Sequence, residues 1–147
     1  NHDGDVEHLF EAIDGQVTLT PSHGQRIGDL GIVHGHTWPS PSVLEADVVC
    51  IGHEHPVVRL EDEVGGHRVE RAWLRGRLAP APFEDHYGES LDVDGELVVF
   101  PAFNDISGGT WINVDGQEFL SPFLPAGLVE GEAYLLDGTR LGPFRDV

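Results

Sequence analysis

Two short apolar runs, each ending close to a histidine, constrain the fold of this chain more than any other feature. The run Leu30–Val33 is followed directly by His34, and the run Asp47–Ile51 is followed by Gly52 and His53. Near-continuous apolar runs of this length suit strands that are buried on both faces of a parallel sheet. The two runs therefore predict neighbouring strands whose carboxyl ends carry histidines.

The segment between the two runs fits a short crossover helix. It comprises 13 residues, Gly35 to Asp47, and Ser40 could cap a helix that has Pro41 in its first turn. Upstream, Val6–Ile13 has apolar residues at a helical spacing, and Gln16–Thr20 alternates as a strand does. This part of the chain predicts an α/β fold.

Beyond Pro56 the sequence is typical of a mostly β structure. Short apolar segments alternate with glycine-containing turns, and Glu63–Gly66 fits the turn of a hairpin. The polar stretch Glu84–Gly95 predicts a loop. The predicted strands are Val57–Leu60, Arg68–Leu74, Leu97–Phe100, Trp111–Val114, Ala133–Leu136 and Thr139–Leu141.

Three polar clusters carry the candidate chemistry. They are Asn1-His2-Asp3, His34-Gly35-His36 and His53-Glu54-His55, and the last two follow the apolar runs. Ligands of open α/β sheets bind at the carboxyl ends of the strands, so we expect these clusters to share one pocket. Imidazole groups suit zinc, manganese, iron, nickel or cobalt. Each cluster alone is a weak signal, and their order and placement strengthen it.

Taken together, the clusters resemble the last three signatures of the calcineurin-like metallophosphoesterases. Those signatures are Gly-Asn-His-Asp/Glu, a strand-end His and Gly-His-x-His. More narrowly, the chain is similar to the Icc-like phosphoesterases of archaea and bacteria, some of which are associated with DNA repair. The similarity extends beyond the histidines to Ala72–Arg77, Phe100–Asn104 and Ser107–Gly109.

The resemblance implies that residues 1–147 are the C-terminal portion of a single calcineurin-like αββα sandwich. Two earlier signatures of the family, Asp-x-His and Gly-Asp-x-x-Asp, have no match in the chain. They would supply a bridging Asp and further ligands, so we expect this portion alone to be inactive and to bind metal weakly.

The roles that the resemblance implies differ between neighbouring residues. Asn1, His34 and His53 would bind one metal ion, and His55 would bind the other. His2 would be catalytic, either steadying phosphoryl charge or protonating the leaving oxygen. Asp3 would hold its loop or serve as a simple cap. His36 would lie close to the substrate or behind the ligands, and Glu54 would point to solvent.

The implied function is hydrolysis of phosphodiester bonds by two divalent transition-metal ions, with Mn²⁺ as the first choice and Zn²⁺, Fe²⁺, Ni²⁺ or Co²⁺ as alternatives. The expected substrate is DNA or a nucleotide. Two alternatives stay open: a phosphomonoesterase acting on small molecules, and a noncatalytic metal-binding scaffold of the same fold. The oligomeric state and the native metal are not determined by these patterns.

The composition of the chain indicates the environment in which the protein works. There are 26 acidic and 8 basic residues, all of the latter Arg, which gives a net charge of −18. Such an excess favours a protein adapted to high salt, where self-repulsion is screened; an acidic protein of ordinary salt is the alternative.

No apolar run approaches the roughly 20 residues of a membrane helix. A single cysteine, Cys50, favours a reducing cytoplasm and a buried thiol rather than a nucleophile.

Overall fold

A computed structural model of the chain describes residues 17–147. Two short helices, α1 and α2, and eight strands lie within this range. In chain order the elements are β1 Gln25–Ile27, β2 Leu30–Val33, α1 Pro41–Leu44, β3 Val48–Ile51, β4 Val57–Glu61, β5 His67–Leu78, α2 Ala81–Tyr87, β6 Glu96–Val99, β7 Leu128–Leu135 and β8 Arg140–Pro143.

One part of the sheet is parallel. Strand β2 pairs with β3, and β3 pairs with β6, all running in the same direction. The crossover between β2 and β3 contains α1, which begins at Pro41 after an extended Ser40, as the sequence predicted, although the Ser40 side chain makes no capping hydrogen bond. Because the three strands are parallel, the segments that follow them emerge at one edge of the sheet.

The other part of the sheet is antiparallel. The long strand β5 pairs with β4 through its first half and with β6 and β7 through its second half, and β8 continues the sheet beyond β7. Strands β4 and β5 form the predicted hairpin around residues 62–66. The described strands therefore follow the order β1-β2-β3-β6-β5-β7-β8.

The core lies on one face of the sheet. Alternate residues of the parallel strands, such as Val49, Leu97 and Val99, are buried there and belong to one cluster with Leu44 of α1 and Phe83 of α2. Burying these side chains is the main favourable contribution to folding.

The expectation that the apolar runs would be buried on both faces is wrong for β2. Leu30 and Ile32 are 45% and 47% exposed, while Gly31 and Val33 face the core. An apolar run that is continuous in sequence does not distinguish a strand covered on both faces from one covered on a single face.

Three of the other predicted elements also differ. Residues 17–20 form no strand. Trp111–Val114 contributes one isolated bridge, between Trp111 and Val57. The stretch Glu84–Gly95 is not entirely a loop, because α2 extends into it as far as Tyr87, and Gly88 ends the helix in a left-handed conformation at φ 70°.

The described residues thus form a mixed α/β fold, as the strand–helix–strand pattern predicted. None of the helices within residues 17–147 is long and apolar enough to cross a membrane.

Candidate metal centre

The carboxyl ends of β2, β3 and β6 meet at one edge of the sheet and position the candidate site. His34 follows β2, His53 follows β3 after Gly52, and Phe100 follows β6. The Gly52 amide donates to the His34 carbonyl at 3.0 Å, so the pairing of β2 and β3 continues one step past the ends of the strands. The two histidine clusters are therefore adjacent because their strands are.

The side chains of His34 and His53 converge. The Nε2 atom of His34 lies 3.0 Å from the Nδ1 atom of His53, and their ring centroids are 4.8 Å apart. Without a cation between them, one nitrogen must donate a proton and the other accept it. With a cation, both nitrogens would present lone pairs to it.

His36 completes a group of three rings. Its centroid lies 5.5 Å from that of His34 and 6.0 Å from that of His53. The Nδ1 atom of His36 is buried and has no hydrogen-bond partner within residues 17–147. A buried polar atom without a partner is costly, so this nitrogen is a group that a ligand could satisfy.

His55 takes a different orientation. It has a positive φ of 48°, and its Nδ1 atom lies 3.2 Å from the carbonyl oxygen of Gly108. A carbonyl can only accept, so Nδ1 carries the proton and Nε2 has a free lone pair. A backbone carbonyl behind the ring in this way is the usual arrangement for an imidazole that binds a metal through its other nitrogen.

Glu54 corrects the sequence prediction, which placed its side chain in solvent. The side chain is fully buried and accepts three hydrogen bonds. The donors are the Thr110 hydroxyl at 2.7 Å and the backbone amides of Leu120 at 3.1 Å and Ser121 at 2.5 Å. Glu54 therefore ties the turn that carries His53 and His55 to two distant segments.

Ser121 is held beside the histidines by this carboxylate. Its hydroxyl is buried without a partner among the described residues. A Cβ atom added to Gly35 would lie 3.4 Å from that oxygen and 3.4 Å from the Cβ of His53, and Gly35 adopts φ 107°. Only glycine fits this conformation easily, so Gly35 allows the backbone between His34 and His36 to pass close to Ser121 and His53.

Two of the described side chains fit a shared metal ion. Ligand nitrogens about 2.1 Å from a divalent ion, at angles between about 90° and 109°, are about 3.0–3.4 Å apart. The 3.0 Å between His34 and His53 matches this range. Within residues 17–147, however, no group of three or more His, Cys, Asp or Glu side chains is placed to hold one ion.

The remaining predicted residues are not tested by this geometry. Asn1, His2 and Asp3 lie outside the described residues. The structure brings His34, His36 and His53 together and places His55 on the adjoining turn; their roles as ligands, and the role of His36 toward a substrate, stay predictions.

Several residues away from the histidines make ion pairs or packing contacts that indicate structural roles. Arg75 pairs with Glu96 and Arg77 with Glu130, as arginines on an exposed strand usually pair with surface carboxylates. Burial raises the pKa of the Cys50 thiol, which disfavours the thiolate and agrees with a structural role. Trp38 stacks on His86 with centroids 4.2 Å apart, and Trp73 packs against Phe100.

Glu54, Thr110 and Ser121 are the site residues that sequence reasoning missed. The acid between the two histidines was visible, but its partners lie 56 to 67 residues further along the chain. The position of Thr110 immediately after Gly108-Gly109 was the one local signal that this segment approaches other backbone closely.

Comparison with known proteins gives no relative for this chain. No family model matches its sequence, no curated protein matches it, and no solved structure matches its fold.

Proposed function

We propose that this chain is part of a metal-dependent phosphoesterase that hydrolyses phosphodiester bonds with two divalent ions. The observation that carries the proposal is the convergence of His34 Nε2 and His53 Nδ1, 3.0 Å apart, where two parallel strands end. The sequence resemblance to the calcineurin-like enzymes supports the same function and a calcineurin-like αββα sandwich as the finer fold.

In this proposal the described residues hold and orient the ions. His34 and His53 bind one ion together with Asn1. His55 binds the second through Nε2, because the Gly108 carbonyl holds the proton on Nδ1. Two such ions supply positive charge to the phosphoryl oxygens and lower the pKa of the attacking water.

The surroundings of the histidines suit this assignment. Neutral imidazoles leave the charge of the ions available to a phosphate, so the site does not depend on nearby cations. Arg71, the arginine next to the segment that follows β6, is engaged by the Ala102 carbonyl at 3.0 Å and by Asp105 at 2.8 Å. His2 is the proposed acid for the leaving oxygen. His36 lies beside the ligands, and its Nδ1 atom, which has no partner in the described part of the chain, would be available to substrate or water.

Metal content and activity of the full-length protein test the proposal. After chelation and addition of Mn²⁺, the protein should hold two ions per chain and hydrolyse bis-p-nitrophenyl phosphate. The variant His53→Ala should bind one ion about 100-fold more weakly and lose activity, since a ligand contributes at least as much as the groups that orient ligands.

The matched control is His67→Ala, which removes an exposed imidazole at the start of β5. It should retain both ions and full activity. Metal content equal in His53→Ala and the unaltered protein would contradict the proposed site, and metal binding without hydrolysis would favour the noncatalytic scaffold.

A further inference from the structure

A cavity of about 540 Å³ lies between the segment 112–125 and the turn that follows β8. The residues that line it include the buried apolar side chains of Ile112, Leu124 and Phe144, which we call its apolar wall. Ligand sites in proteins are usually clefts of about 300–1,000 Å³ with mainly apolar walls and a few polar groups. The size and lining of this cavity therefore suit a small molecule that has an apolar part.

Arg145 is the basic residue of the cavity, and it differs from the other arginines. All eight basic residues of the chain are arginines within the described range, and seven of them pair with a carboxylate within 4.0 Å. Arg145 pairs with no carboxylate among residues 17–147, although the chain has 26 acidic residues. Its guanidinium group is therefore available to an anionic group of a ligand.

The guanidinium group of Arg145 is held against the apolar wall. Its central carbon lies 5.4 Å from the centroid of the Phe144 ring, and that ring packs edge-on against Phe119 with centroids 6.1 Å apart. An arginine over an aromatic ring can still direct its N–H groups to a carboxylate. The cavity thus has a cation directly beside its apolar wall.

Two carboxylates, Asp115 and Glu118, also line the cavity and are exposed. Neither forms an ion pair with any described residue, Arg145 included. A simple carboxylate ligand would be opposed by these two groups and by the net charge of −18. A zwitterion carries no net charge and can satisfy groups of both signs, so the charges of this cavity favour a zwitterion.

Parts of the cavity are ordered before a ligand binds. The lining residues Leu120 and Ser121 donate their amides to the buried Glu54 carboxylate at 3.1 Å and 2.5 Å. The side chain of Asn113, which also lines the cavity, donates to the Arg59 carbonyl at 2.8 Å. Order that exists in advance reduces the entropy that is lost on binding.

We propose that this cavity binds a small zwitterion with an apolar side chain, of the α-amino-acid class. The ligand carboxylate pairs with Arg145, and the ligand ammonium group pairs with Asp115 or Glu118. The ligand side chain packs against the apolar wall. This site is separate from the histidines and requires no metal ion, so it goes beyond the hydrolysis proposed above.

Three related probes test the proposal on the unaltered full-length protein. L-Phenylalanine carries both charges, L-phenylalaninamide lacks the carboxylate, and 3-phenylpropanoate lacks the ammonium group. Nuclear magnetic resonance titration in about 1 M salt, which screens the general attraction of an acidic chain for a cation, measures each affinity. L-Phenylalanine should bind with a Kd of about 1 mM or tighter. Each probe that lacks one charge should bind about 10-fold more weakly.

The same titration locates the site, because amide resonances of residues 112–125 and 144–145 should shift. Equal affinities for the three probes, absence of L-phenylalanine binding, or shifts confined to other residues would each overturn the proposal.

A pair of arginine variants tests the contact with the ligand carboxylate. Arg145→Gln should weaken the binding of L-phenylalanine about 10-fold and leave that of L-phenylalaninamide unchanged. The matched control Arg77→Gln removes an exposed arginine that pairs with Glu130 and should change neither affinity. L-Phenylalanine binding that is equally tight in Arg145→Gln and in the unaltered protein would contradict the assigned role of Arg145 and the proposal with it.

Discussion

The parallel and antiparallel parts of the sheet use their polar residues in opposite ways. Where β2 and β3 end, polar side chains contact one another and the backbone in buried or half-buried positions, as Glu54 and His53 do. On β7 and β8, carboxylates such as Glu132 and Glu130 meet arginines on the exposed face. The candidate histidines that the structure describes lie at the end of the parallel part.

Glu54 and Glu132 show what the difference means energetically. The Glu54 carboxylate is removed from water and accepts hydrogen bonds from two backbone amides and a hydroxyl, so each of these donors depends on Glu54 for its acceptor. Glu132 accepts hydrogen bonds from Arg140 and from the Tyr134 hydroxyl while still in contact with solvent. Removing a buried acceptor leaves its donors unsatisfied, whereas removing an exposed one allows water to replace it.

The largest expected effect comes from deleting the buried carboxylate. Glu54→Ala should lower the free energy of unfolding by about 3 kcal/mol or more, because two buried donors and one partly buried donor lose their acceptor. The matched control Glu130→Ala, at an exposed ion pair, should change it by less than about 1 kcal/mol. Urea denaturation measures both. Similar decreases in the free energy of unfolding for the two variants would show that the buried and exposed carboxylates do not differ in this way.

A smaller effect is expected from substitutions at Gly108 and Gly109, which lie near the end of the loop that follows β6, residues 100–110. A Cβ on Gly109 would lie 2.0 Å from the His55 carbonyl oxygen, whereas a Cβ on Gly108 would contact nothing within 4 Å. Gly109→Ala should therefore cost about 1–3 kcal/mol by forcing the loop away from the histidine turn.

Gly108→Ala is the neighbouring control and should leave the free energy of unfolding nearly unchanged. Thermal unfolding of the two variants provides the comparison. If Gly109→Ala were tolerated as well as Gly108→Ala, the backbone contact between the loop and His55 would not be as close as described.

The smallest expected effect concerns the exposed pair on the antiparallel side. Hydrogen bonds from Arg140 and then from Tyr134 lower the pKa of Glu132 to about 2. A lowered pKa contributes stability above the ordinary pKa of the carboxyl group, and the contribution is lost as the pH falls towards 2. Arg140→Ala should thus raise the pKa of Glu132 and weaken the protein slightly near neutral pH but not near pH 2.

Carbon-13 NMR titration of the glutamate carboxyl groups measures that pKa. Arg68→Ala, which removes an arginine from the β4–β5 hairpin, should leave the pKa of Glu132 unchanged. A pKa of Glu132 that stays near 2 in Arg140→Ala would show that the arginine is not its main cause.

Local patterns were sufficient to predict where the histidines lie. The apolar runs Leu30–Val33 and Asp47–Ile51 predicted β2 and β3, because a short strand of a buried sheet can be recognised from a few consecutive apolar residues. The helix at Pro41 was predicted from the Ser40-Pro41 pair at its start, although Ser40 makes no side-chain capping bond. Placing His34 next to His53 then required only that the two strands be parallel neighbours, which a short crossover favours.

Interactions between distant segments could not be predicted in the same way. The burial of Glu54 depends on Thr110 and on the amides of Leu120 and Ser121, and nothing in the sequence indicates that these approach it. Likewise Trp111 makes a single bridge to Val57, and beyond it the side chain of Asn113, rather than the backbone, bonds to the backbone of Arg59. The exposed face of β2, with Leu30 and Ile32, was missed because an apolar residue is compatible with either environment.

The backbone of His55 has a consequence for how this chain tolerates change. At φ 48° a residue with a Cβ is in the left-handed region, at a cost of order 1 kcal/mol that glycine would avoid. On conformational grounds alone, the folded state would favour glycine at position 55. A screen that ranks variants by thermal resistance would accordingly select His55→Gly, and would select with it the loss of the imidazole whose Nε2 faces away from the Gly108 carbonyl. At position 55, backbone conformation favours glycine, whereas the proposed metal binding requires histidine.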